Sequence, residues 1–245
     1  MKCGLFTLFL LPLFFYPVCS SAQQEQSDSL LYQMAFEHTL AVYTSRTGDQ
    51  SRLYNGSHYT GYPYTFKEGS PYFNAQNFSQ GSVVYDGILY PDVPLLFDDL
   101  RQKLITRDQG YDMQLIDERI GGFDLPDHHF LRILSDSLSN YPLRTGYYEV
   151  LYPGRSTALK KLYKTVKEDP TITEGIIRTI LESTDYFIRT GAGYHKVNSK
   201  RELLKVMGDH KKEVQRFIRK NKLKFRKHKD EVIPQAAAYY DQLRK

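Results

Sequence analysis

Residues 82–98 read SVVYDGILYPDVPLLFD. Two apolar runs, Val83-Val84-Tyr85 and Ile88-Leu89-Tyr90, are joined by Asp86-Gly87 alone. A two-residue link of this kind wants positive φ at both central positions. Asp tolerates that and Gly adopts it freely, so the stretch predicts a tight β-hairpin. Val93 to Phe97 then predicts a further strand. From residue 54 to about 135 the apolar residues keep a period of two. Tyr62, Tyr64 and Phe66 alternate with Pro63 and Thr65, which places their rings on one strand face and in the core. Lys103 to Arg107, Tyr111 to Ile116 and His129 to Leu134 are further short strands, and Gly121-Gly122 breaks the chain before Phe123.

The pattern continues beyond a loop at Ser135 to Tyr141. Tyr147 to Tyr152, Pro153-Gly154-Arg155 and Ala158 to Val166 read as a hairpin, because Pro-Gly suits a turn's central pair. Residues 170–185 read as a short helix or a loop. Tyr186 to Arg189 and Tyr194 to Val197 flank Gly191-Ala192-Gly193 as a last hairpin. Helices are expected at both ends. Ser27 or Asp28 caps one that runs to about Ser45, with Leu30, Leu31, Met34, Leu40, Ala41 and Tyr43 at helical spacing. Ser199 with Glu202 forms a capping box, and Leu203, Met207, Val214, Phe217 and Ile218 make a stripe behind it. A final helix starts near Glu231, with Pro234 in its first turn. The expected class is α+β, mainly β: an antiparallel β-meander, either a curved sheet or barrel-like. It carries an N-terminal helix and two or three C-terminal helices.

The start of the chain predicts export. Lys2 precedes an apolar run from Leu5 to Val18, and Ser20-Ser21-Ala22 offers small residues at a cleavage site, the layout of a secretory signal peptide. The run is too short to span a bilayer as a helix, and no later segment comes close, so no transmembrane span is expected in the mature chain. Both cysteines, Cys3 and Cys19, lie inside this segment. Cleavage after Ala22 removes them, and with them thiol catalysis and cysteine-ligated metal. A lipid anchor at Cys19 fits badly, because Tyr16, Pro17 and Val18 are not the small residues it needs. The expected division is a signal peptide over 1–22, an N-terminal helix plus β-rich body over 23–198, and a basic helical C-terminus over 199–245 packed on the body. A segment this short rarely builds a core alone.

The order YNG, PYF, GSVVYDGILYPDVPLLFD, GYYEVLYPG and the Lys-rich KRELLKVMGDHKKEVQRFIRKNKLKF, ending in YYDQL, resembles a group of small secreted proteins from Bacteroidota. The resemblance spans nearly the whole mature chain. It implies export and a bacterial source, and it carries no activity, ligand or site residue.

Few patterns point to chemistry. Neither Gly-x-Ser-x-Gly nor His-Glu-x-x-His occurs. Asp127-His128-His129 has metal-ligating types, but neighbours on a strand point to opposite faces. Asp98-Asp99 and Asp117-Glu118 are paired carboxylates of the kind a glycosidase needs across a cleft, although Asp in a turn also binds its own backbone. Asn55-Gly56-Ser57 and Asn77-Phe78-Ser79 match glycosylation sequons, which matter only in a eukaryotic secretory route. Tyr54, Tyr59 and Tyr72 sit among glycines and prolines and are candidates for ligand binding; the absence of Trp speaks against a sugar platform and for a structural rim.

The formal charge of +5 is uneven. Between Lys200 and Asp230 thirteen Lys or Arg face four Asp or Glu. Lys211, Lys212, Arg216, Arg219 and Lys220 avoid the apolar stripe and are the remaining binding candidates. An anionic envelope surface or an envelope protein is the expected partner, with no nucleic acid in that compartment. No catalytic residue, metal or cofactor is expected. The expected function is an exported, non-enzymatic binding or scaffolding protein of the cell envelope; the alternative is a secreted glycan hydrolase using Asp98, Asp99 or Asp117. A third reading, an accessory subunit docking by its helices, needs an exposed stripe between Leu203 and Ile218.

Overall fold

The structure is a computed structural model that describes residues 52–74, 77–135, 143–173, 175–191 and 193–244. The expected signal peptide, both cysteines and the N-terminal helix lie in residues 1–51, outside the described residues.

The hairpin forms as its turn chemistry dictates. Asp86 and Gly87 have φ of 52° and 76°, and Tyr85 pairs with Ile88. Its strands are β2 (Ser79–Tyr85) and β3 (Ile88–Asp98). Before them comes β1 (Ser57–His58); after them come β4 (Lys103–Asp108), β5 (Tyr111–Gln114), β6 (Ile120–Leu125), β7 (His128–Ile133) and β8 (Gly146–Tyr152). Then follow β9 (Ala158–Thr171), β10 (Gly175–Thr190) and β11 (Gly193–Lys196). All pair antiparallel in one sheet, ordered β1-β5-β4-β3-β2-β6-β7-β8-β9-β10-β11. The order departs from a plain meander twice: β1 lies beside β5 rather than β2, and β6 lies beside β2 rather than β5. The chain runs from β2 out to β5, then Leu115 to Arg119 carries it back to the other edge of β2 as β6.

The sheet is strongly curled. β3 and β8 lie four strand positions apart, roughly 19 Å on a flat sheet. Yet Phe97 and Tyr147 have ring centroids 5.5 Å apart, and Phe97 also meets Phe123 at 5.1 Å. The curl wraps a core of Val83, Tyr85, Leu95, Phe97, Leu104, Phe123 and Phe130. An extended strap, residues 59–73, is stitched to two distant strands. Phe73 N donates to Phe97 O on β3 at 2.9 Å, and Lys67 N donates to Arg178 O on β10 at 2.8 Å. Gly69 permits the second contact: its φ is 82°, and a Cβ there would stand 2.8 Å from Ile180 Cβ.

Two expectations change. Residues 170–171 and 175–185 are neither helix nor loop but part of a long hairpin, with β9 and β10 paired from Thr171↔Gly175 to Ala158↔Ile188. Ile176, Ile177, Thr179, Ile180 and Thr184 are β-branched and favour the strand. Tyr62, Tyr64 and Phe66 keep their period of two, but they lie in the strap and are half-buried rather than core. They pack on one another, with centroids 5.1–5.9 Å apart, under Arg101 and Arg178.

Three C-terminal helices, α1 (Lys200–Val206), α2 (Lys211–Lys220) and α3 (Lys229–Leu243), pack against the β8–β10 region. Their shared core joins Leu203, Met207, Val214, Ile218, Val232, Ile233, Ala236 and Ala237 to Ala158, Tyr186 and Ile188 of the sheet. Pro234 falls in the second turn of α3, because that helix begins at Lys229.

Candidate functional site

The helical face is set by its caps and its apolar stripe. Ser199 Oγ accepts from Glu202 N at 3.2 Å, and Glu202 Oε2 accepts from Ser199 N at 2.9 Å, completing the expected capping box. In α2, Val214 and Ile218 are buried, so Lys211, Lys212, Arg216, Arg219 and Lys220 all turn outward and are exposed. The stripe behind them is consumed by the fold: Leu203, Met207, Val214 and Ile218 are 0–1% exposed. Phe217, the remaining residue of the stripe, is half-buried, so among the described residues the stripe is not the exposed apolar face that the accessory-subunit reading required.

The charge extends past the expected residues. Beyond α2 the chain turns at Lys222 (φ 55°) and buries Phe225. A cleft of about 880 Å³ opens there, walled by Lys200, Lys224, Phe225, Arg226, Lys227 and Lys229. A second of about 570 Å³ shares Arg226, Lys227 and Lys229 and reaches Tyr186 and Asp230. Lys200 joins this group from the other end of the helical segment, which its place in the sequence did not reveal.

A polar chain fixes this layer to the sheet. Tyr186 donates its hydroxyl to Asp230 Oδ1, and Lys160 Nζ donates to Asp230 Oδ2 at 2.8 Å and lies 3.2 Å from Glu149 Oε2. Glu149 Oε1 lies 2.6 Å from His128 Nδ1. Burial pushes the Asp230 carboxyl up, but the bonds from Lys160 and Tyr186 outweigh it and hold the group below its ordinary value. At the other end of α3, Asp241 accepts from Ser156 N at 3.0 Å.

The sheet and the helices treat their cations differently. Lys103, Arg107, Lys160, Lys164, Arg178 and Lys196 each face a carboxylate within the sheet or across to α3. Among the described residues, none of the thirteen cations from Lys200 to Lys229 makes an ion pair. No family model, curated protein or solved structure matches the chain. The site therefore stands on its own geometry.

The tyrosine candidates divide. Tyr54 packs half-buried against the main core. Tyr59 and Tyr72 meet in the strap, hydroxyl to hydroxyl at 3.4 Å, over Leu96 and Ile105 on the outer face of β3 and β4. Beneath them Asp98 is fully buried and accepts from Tyr59 Oη at 2.7 Å, Tyr62 Oη at 2.8 Å and Arg101 N at 2.9 Å. Burial, then hydrogen bonding, pushes both phenols well above their usual range.

The carboxylates do not form an open catalytic pair. Asp99 is 3% exposed; its Oδ1 accepts from Gln102 Nε2 at 2.6 Å, and its Oδ2 has no hydrogen-bond partner. Burial pushes Asp99 up to about 6, against the pull of Lys164 and Lys161. Burial likewise pushes Lys161 down to about 8, against the pull of Asp99. Lys164 Nζ donates to the strap carbonyls of Ser70 and Tyr72, each at 2.9 Å. Asp117 is held by Lys103 and by the Tyr147 hydroxyl at 3.3 Å. His128 and His129 turn apart, one to Glu149 and the other to Asp124, so their rings do not converge.

Proposed function

We propose that the protein is an exported, non-enzymatic binding or scaffolding protein of the cell envelope, docked by its basic C-terminal helices on an anionic lipid surface. The observation that carries this reading is the run of thirteen cations, Lys200 to Lys229, none of which makes an ion pair among the described residues. A cation paired inside the fold has its field cancelled locally; these leave theirs to act outward. Because the apolar stripe is spent on the core, attachment is electrostatic and falls steeply with salt. The hydrolase alternative has weaker support, since Asp98 and Asp99 are enclosed behind the strap and Asp117 is ion-paired.

Co-sedimentation of the purified protein with phosphatidylcholine vesicles, with and without phosphatidylglycerol, tests the docking. Binding is expected only to the anionic vesicles. Replacing Lys211, Lys212, Arg216, Arg219 and Lys220 together by Gln lowers it by roughly three orders of magnitude, at roughly 1 kcal/mol per cation. Equal binding to both vesicle types, or unchanged binding by the variant, would rule the proposal out. Cell fractionation checks the export.

A further inference from the structure

The outer face of β3 and β4 carries a hollow unlike the basic clefts. It has a volume of about 510 Å³ and is bounded by Tyr59, Tyr72, Asn77, Phe78, Arg107 and Asp112, with Leu96 beneath. That volume lies within the range of small-molecule sites. We infer that this hollow binds a neutral saccharide unit.

Three features support the assignment. First, the walls are pre-organised. Tyr59 is tied to the buried Asp98, the backbone of Tyr72 bridges to Asp98, and Lys164 holds the Tyr72 carbonyl. Arg101 packs 3.9 Å over the Tyr62 ring and donates Nη1 to Gly61 O at 2.8 Å, fixing the rim. A ligand therefore meets little ordering cost at these groups.

Second, the charge cancels. Among the described residues of the lining only Arg107 and Asp112 are charged, and they pair in a fork, Nε to Oδ1 at 2.6 Å and Nη2 to Oδ2 at 3.1 Å. The fork engages Nε and one N–H of Nη2, so the guanidinium has donors left over and the carboxylate has acceptor lone pairs left over at the same edge. Adjacent hydroxyls of a sugar ring, each both donor and acceptor, match that edge. An anion gains nothing from a neutralised guanidinium.

Third, apolar and polar surface alternate. Tyr72 is half-buried and gives ring surface for the C–H face of a sugar, Phe78 lies 4.2 Å under the Arg107 guanidinium and holds the fork in place, and Asn77 and the Arg107–Asp112 fork give hydrogen bonds. A purely apolar ligand would desolvate those polar groups without replacing their bonds. A peptide strand would need main-chain partners, and nearby ones are taken: Tyr59 N donates to Asp112 O, and Phe73 N to Phe97 O.

The test is a chemical-shift titration of the full protein with neutral glucose-, mannose-, galactose- and N-acetylglucosamine-based oligosaccharides, alongside a uronic-acid oligosaccharide. At least one neutral sugar is expected to shift the backbone amides of Thr60, Tyr72, Phe78, Arg107 and Asp112. Asp112→Asn and Phe78→Ala, each with an unchanged fold by circular dichroism, should weaken that sugar about tenfold, the order of one charge-assisted hydrogen bond. The five-Gln helix variant should bind it as the parent does, which separates this site from the lipid-docking face. Absence of shifts with every neutral sugar, retention of affinity in both variants, or binding of the uronic-acid probe alone overturns the assignment.

Discussion

Lys160-Lys161 and Lys211-Lys212 are the same dipeptide in two settings. On β9 the pair is drawn into the fold: Lys160 reaches Glu149 and Asp230, and Lys161 is 4% exposed, donating to Tyr147 O at 2.8 Å. On α2 the pair is exposed and makes no ion pair among the described residues. The difference is geometric. A strand sends successive side chains to opposite faces, and in a curled sheet both faces are covered, so both lysines are captured. A surface helix keeps one broad face in water, so cations outside the stripe stay free. Charge in the sheet is architecture; charge on the helices is available for other work.

The comparison can be broken at its buried end first. Asp98→Asn leaves two phenols and the Arg101 amide facing a group that cannot accept from all of them. It should cost about 4 kcal/mol in chemical denaturation. A loss below about 1 kcal/mol would show that the strap does not depend on this carboxylate.

Asp99 sharpens it through pH. Its folded value of about 6 lies above the ordinary 3.8, so the native state holds that proton more tightly than the unfolded chain. The group therefore favours folding fully below 3.8, and that contribution is lost as pH rises through 6. Measured against Asp99→Asn, the parent should gain stability as pH falls from 8 to 4, by at most about 3 kcal/mol at 1.36 kcal/mol per unit. A flat difference across that window would place Asp99 in a better-solvated setting.

Smaller effects belong to the helices. Ser199→Ala removes one half of the capping box and should cost about 1 kcal/mol. The five-Gln variant of α2 should change stability by less than about 0.5 kcal/mol, as surface substitutions do, even while it loses vesicle binding. A larger drop would mean that those cations support the fold after all.

The features legible in the sequence are those decided within a few residues. Asp86-Gly87 names its own turn, Ser199 and Glu202 name a helix start, and the stripe from Leu203 to Ile218 names a buried face. Strand order was not legible. β6 returns to β2, and nothing in Ile120 to Leu125 states that neighbour. The strap was misread for the same reason: the alternation of Tyr62, Tyr64 and Phe66 gives their shared side but not what lies opposite. Of the site, the exposed cations of α2 were visible from their spacing, and Lys200 was hidden because only the fold brings it beside Lys224. The Arg107–Asp112 fork was missed, because it depends on a cross-strand register between β4 and β5.

The strap also orders events in time. Lys164 holds the carbonyls of Ser70 and Tyr72 across 94 and 92 residues, and the Lys67–Arg178 bond closes a still longer loop. Closing loops of that length comes late, after local hairpins have formed. During synthesis, residues 59–73 emerge long before β9 and β10. The first part of the β body must then wait, unlatched, until the last hairpin arrives to secure it.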